Sequence, residues 1–130
     1  MQSCIFCKIT KGELPVTKVY EDEYFLALLD IEPVSFGHTL IIPKQHVVWM
    51  QEVKDETISE IFKLAKKLMQ AMIKGIGCDY VSLSVSGTDV PHFHVHLIPR
   101  YKDDGLSEWP KKHYEEGEKE EVVKKITSML

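Results

Sequence analysis

The sequence predicts an α+β fold in which an antiparallel sheet of five strands packs against one long helix. Two observations predict it. Short runs of alternating apolar and polar residues occur early in the chain and again before residue 100, and the segment between them has the three- and four-residue spacing of an amphipathic helix. Strands on both sides of a single long helix favour an antiparallel sheet with that helix on one face over a parallel sheet of repeated crossovers.

The first three strands are expected between residues 18 and 46. The segment Lys18–Ile31 predicts two strands joined by an acidic turn at 21–23. The segment Gly37–His46 predicts a third strand that stops near Pro43, because proline has no amide hydrogen to donate to a sheet.

The long helix is expected over Asp55–Gly77, where apolar residues recur at helical spacing. Asp55 is a suitable amino-terminal cap, and Gly75 or Gly77 is a suitable stop. The apolar stripe of this helix is interpreted as core rather than as a binding surface.

The last two strands are expected over Tyr80–Gly87 and His92–Arg100, joined by a short turn. Residues 119–130 predict a terminal helix whose charges form a solvated face. With no repeat or linker in the sequence, we expect a single domain over residues 1–130, with its core at 4–100 and an extension at 101–130.

Composition excludes several classes of protein. The formal net charge is −4, so we expect no broad basic surface for nucleic acid, although a single nucleotide needs only a few donors. The apolar runs are too short to span a bilayer and no signal peptide is recognisable, so we expect a cytoplasmic protein with no membrane partner. Cys4 and Cys7 form a C-x-x-C that favours metal binding or redox chemistry over a disulfide, and Cys78 is expected to be buried filler.

The stretch "PHFHVHLIPR" places three histidines at alternate positions. On a strand, His92, His94 and His96 would share one face, with apolar residues on the other. A face that needs only solubility more often carries threonine, lysine or glutamate. Two chemistries fit three histidines, a zinc site or nucleophilic catalysis by one imidazole, and the spacing alone does not choose between them.

Two blocks of the sequence together resemble the histidine triad family of nucleotide-binding hydrolases and transferases. They are "CIFCKITKGELPVTKVYEDEYFLALLDIEPVSFGHTLIIPKQH" and "VPHFHVHLIPR", in the family's order. The similarity runs from Cys4 to about Arg100 and is to the branch of small adenosine phosphoramidate hydrolases with an amino-terminal C-x-x-C. The resemblance also implies a two-fold homodimer whose sheets join, with the long helix near the interface.

The resemblance implies three catalytic histidines. His94 matches the middle histidine of the triad, which attacks the α-phosphate and forms a covalent nucleotidyl-histidine that water then hydrolyses. A neutral imidazole is a good nucleophile near pH 7. His96 matches the last triad histidine, which donates hydrogen bonds around the phosphate and leaving group. His38 matches a fourth histidine, on an adjacent strand, that orients the others.

The resemblance also implies how a purine nucleotide would bind. Asp30 matches the carboxylate that accepts hydrogen bonds from both ribose hydroxyls. Five apolar residues match the positions that form the slot for the base: Ile5, Phe6, Ile9, Leu28 and Ile31.

Relatives with the C-x-x-C hold a structural zinc, and the matching ligands here are Cys4, Cys7, His46 and His92. They satisfy the preference of zinc for four nitrogen and sulfur ligands. The alternative is a reduced, metal-free cysteine pair; a thioredoxin-like pair is disfavoured because no βαβ pattern or helix start follows Cys7. No organic cofactor is expected.

The segment before the triad departs from the family pattern. Gly87 keeps the usual glycine, Thr88 stands where glutamine is expected, and Ser84 or Ser86 lies near the expected asparagine. Asp89 stands where a phosphate-contacting serine is usual. Asp89 is still counted among the nucleotide-binding positions, but a carboxylate beside a phosphate is repulsive unless it turns away to contact the helix or a cation; the backbone amides of residues 87–89 can supply donors.

These residues lead to three hypotheses about function. The first is a hydrolase of the P–N bond in purine nucleoside phosphoramidates, with a dinucleoside polyphosphate hydrolase as the alternative within the same family. The second is a nucleotide-binding module with little catalysis, motivated by Thr88 and Asp89. The third is a protein with one three-histidine metal site, which leaves Asp30 and His38 unexplained.

Overall fold

A computed structural model describes residues 3–106 and 109–130. Residues 1, 2, 107 and 108 of the predicted single domain lie outside the described residues. In chain order the elements are helix α1 (Ile5–Thr10), strands β1 (Lys18–Glu21), β2 (Phe25–Leu29) and β3 (Thr39–Pro43), a 3₁₀ turn (Met50–Glu52), helix α2 (Asp55–Ile76), strands β4 (Tyr80–Ser84) and β5 (Val95–Arg100), and helix α3 (Glu118–Thr127).

The five strands form one antiparallel sheet in the order β1-β2-β3-β5-β4. This confirms the predicted α+β fold with five strands. The register places β3 beside β5, with Leu40 opposite His96 and Thr39 opposite Leu97. The segments that carry His38 and the triad are therefore neighbours in the sheet, although they are far apart in the sequence.

Both faces of the sheet are covered, whereas the sequence predicted a helix on one face only. Phe25, Ala27 and Ile41 pack with α2 in the larger core. The alternating positions Leu26, Leu28, Leu40 and Ile42 pack with α1 in a second core on the opposite face. Alternation along a strand sends successive side chains to opposite faces, so two buried faces require the continuous apolar sequences of β2 and β3.

Helix α1 was not predicted. It has only six residues, too few for the apolar periodicity that identifies a helix in sequence. The side chain of Cys4 caps it, with Sγ 3.4 Å from the backbone nitrogen of Cys7. Both cysteines of the C-x-x-C are thereby fixed at the start of a helix that packs on the sheet.

Helix α2 agrees with the prediction apart from its first residue. Lys54 is the amino-terminal cap and Asp55 is the first helical residue, where its carboxylate complements the helix dipole. Gly77 ends the helix with φ +82°, the left-handed conformation that glycine adopts most readily. Helix α3 also forms as predicted and has no buried residue.

Strands β4 and β5 are shorter than predicted. β4 ends at Ser84 rather than Gly87, and β5 begins at Val95 rather than His92. The amide of Phe93 donates to the carbonyl of Val47, in the segment that follows β3, so this residue is paired outside the sheet. Within the described residues, no helix has the length and apolar character to cross a membrane.

Candidate functional site

The triad segment keeps its alternation although its first two histidines precede the strand. Phe93, Val95 and Leu97 are 1%, 0% and 0% exposed and lie in the core under α2. The histidines point to the other face, where the ring of Phe6 in α1 meets His94 edge-on at 5.0 Å between centroids. The sequence therefore predicted correctly that a polar face is supported by an apolar one.

Hydrogen bonding fixes the tautomer of His94. Its Nδ1 lies 2.7 Å from the carbonyl oxygen of His92. A carbonyl only accepts, so Nδ1 carries a hydrogen and Nε2 of the neutral ring keeps its lone pair. The His94 side chain is 0% exposed. The arrangement presents one buried nitrogen lone pair in a single direction, which is the requirement for an imidazole nucleophile.

A second hydrogen-bond chain fixes His38 and His96. The amide of Val34 donates to Nδ1 of His38 at 3.0 Å, so the hydrogen of the neutral His38 ring is on Nε2. That Nε2 donates to Nδ1 of His96 at 2.9 Å. The hydrogen of His96 is then on its own Nε2, which faces the same space as Nε2 of His94, with the two rings 4.8 Å apart. His96 thus offers a donor beside the lone pair of His94.

Burial keeps this chain neutral near pH 7. Desolvation lowers the pKa of His38, although the nearby Asp30 carboxylate raises it in part. Burial also lowers the pKa of His96, and the neighbouring rings of His94 and His38 lower it further, against the opposing effect of Asp89 and Asp30. Neutral rings are required for the alternating donor and acceptor pattern of the chain.

The loop between β4 and β5 lies over the histidines. Ser84, the last residue of β4, pairs with His96 across the two strands. Gly87 has φ +87°, and a Cβ there would lie 3.1 Å from the ring of Trp49, so glycine suits both the conformation and the space. The hydroxyls of Thr88 and Ser86 are 3.2 Å apart.

The carboxylate of Asp89 faces the triad. It does not turn away to the helix or a cation but contacts the triad, with oxygens 3.2 and 3.4 Å from Nε2 of His94 and 3.9 Å from Nε2 of His96. Burial raises the pKa of Asp89, but the charge of His94 and hydrogen bonds from the amides of Asp89 and Val90 outweigh that effect, and the pKa lies below its usual value. The Asp89 carboxylate therefore lies directly against the rings of His94 and His96.

The residues expected to hold the nucleoside are divided between the surface and the interior. One carboxylate oxygen of Asp30 lies 3.6 Å from Nε2 of His38, and the other accepts from the amide of Glu32. Phe6, Ile9 and Leu28 are buried in the core under α1. Ile5 and Ile31 are 46% and 90% exposed. Only these last two offer apolar surface to a base without rearrangement.

Four predicted ligands meet in one cluster that can hold a metal ion. Nδ1 of His92 lies 3.4 Å from Sγ of Cys4 and 3.5 Å from Sγ of Cys7, and Nδ1 of His46 lies 3.1 Å from Sγ of Cys7. The four ligand atoms are all within 4.8 Å of one another. Tetrahedral zinc with ordinary bond lengths separates such ligands by about 3.4–3.8 Å, so the donor set fits.

The surroundings of the cluster favour metal binding. Nε2 of His92 donates to the carbonyl of Pro43 at 2.7 Å, which leaves its Nδ1 as a lone pair directed at the cysteines. Burial and the adjacent Cys4 raise the pKa of the Cys7 thiol, so formation of the thiolate at this position depends on a cation such as the metal ion itself. His92 also connects the two sites, because its carbonyl accepts from His94.

Sequence reasoning missed the backbone groups that determine the chemistry. The carbonyls of Pro43 and His92 and the amide of Val34 fix the tautomers of the three buried rings. No side-chain pattern signals such groups, because every non-proline residue carries the same amide and carbonyl. The contact of Trp49 with Gly87 was also missed, although a large aromatic residue after "IPKQH" was the available signal.

Comparisons with known proteins agree on one family. The model of the HIT domain matches residues 11–103. The chain is 41% identical over 115 residues to adenosine 5′-monophosphoramidase from Schizosaccharomyces pombe, and the match covers 83% of this chain and 84% of that relative. Its fold is similar to a member of the HIT family from Bacillus subtilis, with a TM-score of 0.87, 36% identity and coverage of 98% and 97%.

A further similar structure is a zinc-bound histidine triad family protein from Mycobacterium smegmatis. It has a TM-score of 0.77 and 31% identity, and the match covers 99% of each chain. The match to the HIT domain begins at residue 11, so Cys4 and Cys7 lie outside it.

Proposed function

Because the chain belongs to the histidine triad (HIT) family, we propose that it is a hydrolase of purine nucleoside phosphoramidates that acts through a nucleotidyl-histidine at His94. One observation carries the proposal. The bond from His94 Nδ1 to the carbonyl of His92 leaves Nε2 as a buried lone pair beside the Nε2–H of His96. The similarity to an adenosine 5′-monophosphoramidase supports an adenosine phosphoramidate as the substrate.

In the first step, the lone pair of His94 Nε2 attacks the α-phosphorus and the P–N bond breaks. The electron pair of that bond leaves on the amine nitrogen, which takes up a proton. The Nε2–H of His96 is placed to donate a hydrogen bond to that nitrogen, which takes its proton from solvent, and His38 orients His96 through the 2.9 Å hydrogen bond to Nδ1.

In the second step, water attacks phosphorus and the bond to His94 Nε2 breaks. Nucleoside monophosphate is released and the imidazole recovers its lone pair. The attacking water gives up a proton to solvent, which balances the proton that the amine took up in the first step, and His96 keeps its Nε2–H, so that the site returns to its starting state. Covalent catalysis of this kind divides one difficult displacement into two easier ones.

The remaining predicted residues would position the nucleoside. The carboxylate of Asp30 has acceptor sites for both ribose hydroxyls and already accepts from one backbone amide. Ile5 and Ile31 would cover the base, over Phe6, Ile9 and Leu28. Ser84, Gly87 and Thr88, in and beside the loop above the triad, would contact the phosphate.

We propose that Cys4, Cys7, His46 and His92 bind a structural zinc ion. Zinc in a closed set of four protein ligands supplies no open position for substrate, so its contribution is to join segments of the chain. The ligands belong to α1, to the segment after β3 and to the triad segment. The ion would thereby hold the backbone of His92 against His94.

We also propose that the protein is a two-fold homodimer in which α2 lies near the interface. Ile73 and Ile76, in the last turns of α2, and Tyr80, at the start of β4, are 43%, 43% and 44% exposed. Such surface is compatible with a second copy of the chain, and sedimentation of the purified protein measures the assembly.

The proposal is tested by the release of AMP from adenosine 5′-phosphoramidate. His94→Ala is expected to lower kcat by at least about 10³-fold, since the variant has no nucleophile. His113→Ala is the matched control, because it removes a histidine that is exposed and lies outside the site. Binding of AMP by the wild type without turnover would instead establish a nucleotide-binding module.

A further inference from the structure

Asp89 occupies the position in front of the nucleophile. Both carboxylate oxygens lie within 3.4 Å of Nε2 of His94, and the closer is at 3.2 Å. The side chain of Asp89 is 55% exposed, whereas that of His94 is 0% exposed. The carboxylate therefore covers the reactive nitrogen from the solvent side.

The contact lies along the direction that phosphorus must take. The oxygen at 3.4 Å lies on the side to which Nε2 of His94 points, in the direction that this nitrogen uses to donate or to attack. A phosphoryl group that approaches His94 must displace this oxygen. The buried ring lies behind the carboxylate and solvent lies in front of it, so outward movement is the open route.

The position to which the Asp89 carboxylate moves is the side of the phosphorus from which the leaving group departs. Displacement at phosphorus proceeds in line, with the attacking and leaving atoms on opposite sides. The group that leaves therefore lies on the solvent side of the phosphorus, away from Nε2, which is the side to which Asp89 moves. A fixed negative charge then stands close to the leaving group throughout the reaction.

We propose that Asp89 makes the site selective for the charge of the leaving group, favouring amines that are neutral or cationic and rejecting anionic groups such as phosphate, sulfate and carboxylate-bearing amines. This inference deepens the proposed function and depends on it. An amine departs with the electron pair of the P–N bond and takes up a proton, so it gains no negative charge. Sulfate or a phosphate chain departs as an anion and is repelled by the carboxylate.

The same charge acts on the product. A phosphoramidate has one negative charge on its phosphoryl group, whereas nucleoside monophosphate approaches two at neutral pH. Asp89 therefore opposes retention of the product more strongly than entry of the substrate. Removal of its charge should strengthen inhibition by AMP.

The test uses three adenosine phosphoramidates with leaving amines of similar length. 1,4-Diaminobutane carries an ammonium group, pentylamine is neutral and 4-aminobutyrate carries a carboxylate. Because a P–N bond to a primary alkylamine breaks in all three, the change in the ratios of kcat/KM between the wild type and the Asp89 variants reports on charge. Two unit charges a few ångströms apart, at a half-exposed position, predict a preference of roughly tenfold per unit charge in the wild type.

In Asp89→Asn and Asp89→Ala, the kcat/KM values for the three substrates are expected to lie within about twofold of one another. The inhibition constant for AMP is expected to fall by roughly tenfold. Two neutral variants are used because the asparagine amide can donate to the phosphate and alanine cannot. Asp103→Asn is the matched control for loss of one negative charge, because Asp103 is exposed and lies beyond the opposite end of β5. It should keep the ratios of the wild type.

The possible results separate the two proposals. Failure of the wild type to hydrolyse even the neutral amide would overturn the proposed function and this inference with it. Hydrolysis of all three amides with ratios that stay the same in both Asp89 variants would overturn the role of Asp89 alone. Ratios that change equally in Asp103→Asn would also overturn it.

Discussion

The proposed metal site predicts a loss of stability when one ligand is removed. Cys7 is the most informative ligand to change, because its Sγ contacts Nδ1 of both His46 and His92, at 3.1 and 3.5 Å. Cys7→Ala leaves three donors, too few for the closed site that structural zinc requires. The metal content is expected to fall from about one ion per chain to near zero.

The magnitude follows from linkage between metal binding and folding. The ligands come together only in the folded chain, since Cys4, Cys7 and His92 belong to segments up to 88 residues apart. An ion that binds only the folded state stabilises it by about 2.7 kcal/mol at 100 times the dissociation constant and about 4.1 kcal/mol at 1,000 times. Addition of a strong chelator should therefore lower the unfolding free energy of the wild type by about 3–4 kcal/mol.

The assay is urea unfolding with zinc and with excess chelator, together with elemental analysis of the purified protein. Cys7→Ala should unfold at the same urea concentration in both conditions. Cys78→Ala is the matched control, because it changes a buried cysteine outside the cluster and should keep the chelator effect. The reasoning is refuted if Cys7→Ala retains metal, or if His94→Ala loses it.

Two further predictions concern hydrogen bonds. His38→Ala removes the hydrogen-bond donor to Nδ1 of His96, so kcat should fall about 10- to 100-fold while KM changes less. Steady-state kinetics with adenosine 5′-phosphoramidate measure both constants, and an unchanged kcat would contradict the prediction. The pKa of Asp104 lies well below its usual value because the Arg100 guanidinium donates two hydrogen bonds to it, at 2.6 and 3.1 Å. A folded pKa below the unfolded value near 4 means that this stabilisation is present above about pH 4 and is lost as the pH falls through the folded pKa. The Tm deficit of Asp104→Asn should therefore be constant between pH 5 and 7 and shrink below pH 4, and an equal deficit at pH 3 would argue against it.

The parts of the fold that repeat with a regular period could be predicted from the sequence. The long helix was found within one residue because its apolar stripe extends over six turns and Gly77 ends it. The triad face was found because alternation needs only a few residues and Phe93, Val95 and Leu97 mark its other side. Short α1 and the early end of β4 could not be found, since six residues and a glycine turn carry no such period.

The candidate site could likewise be predicted from the sequence only in part. The resemblance to the family brought Cys4, Cys7, His46 and His92 into one set, which the residue types alone did not, and the structure places the four together. The direction in which each imidazole donates was not available, because it depends on backbone groups placed by the tertiary structure. The contact of Asp89 with His94 was not predicted, because only repulsion between this carboxylate and a phosphate was considered.

Intact-protein mass spectrometry gives the most direct test of the central claim. The wild type is mixed with adenosine 5′-phosphoramidate, quenched within milliseconds and compared with His94→Ala treated identically. The account predicts an added adenylyl mass on the wild type alone, located on His94 by fragmentation, with AMP released at later times. Release of AMP by the wild type without any adduct, or an adduct of equal amount on His94→Ala, would contradict the assignment of His94 as the nucleophile.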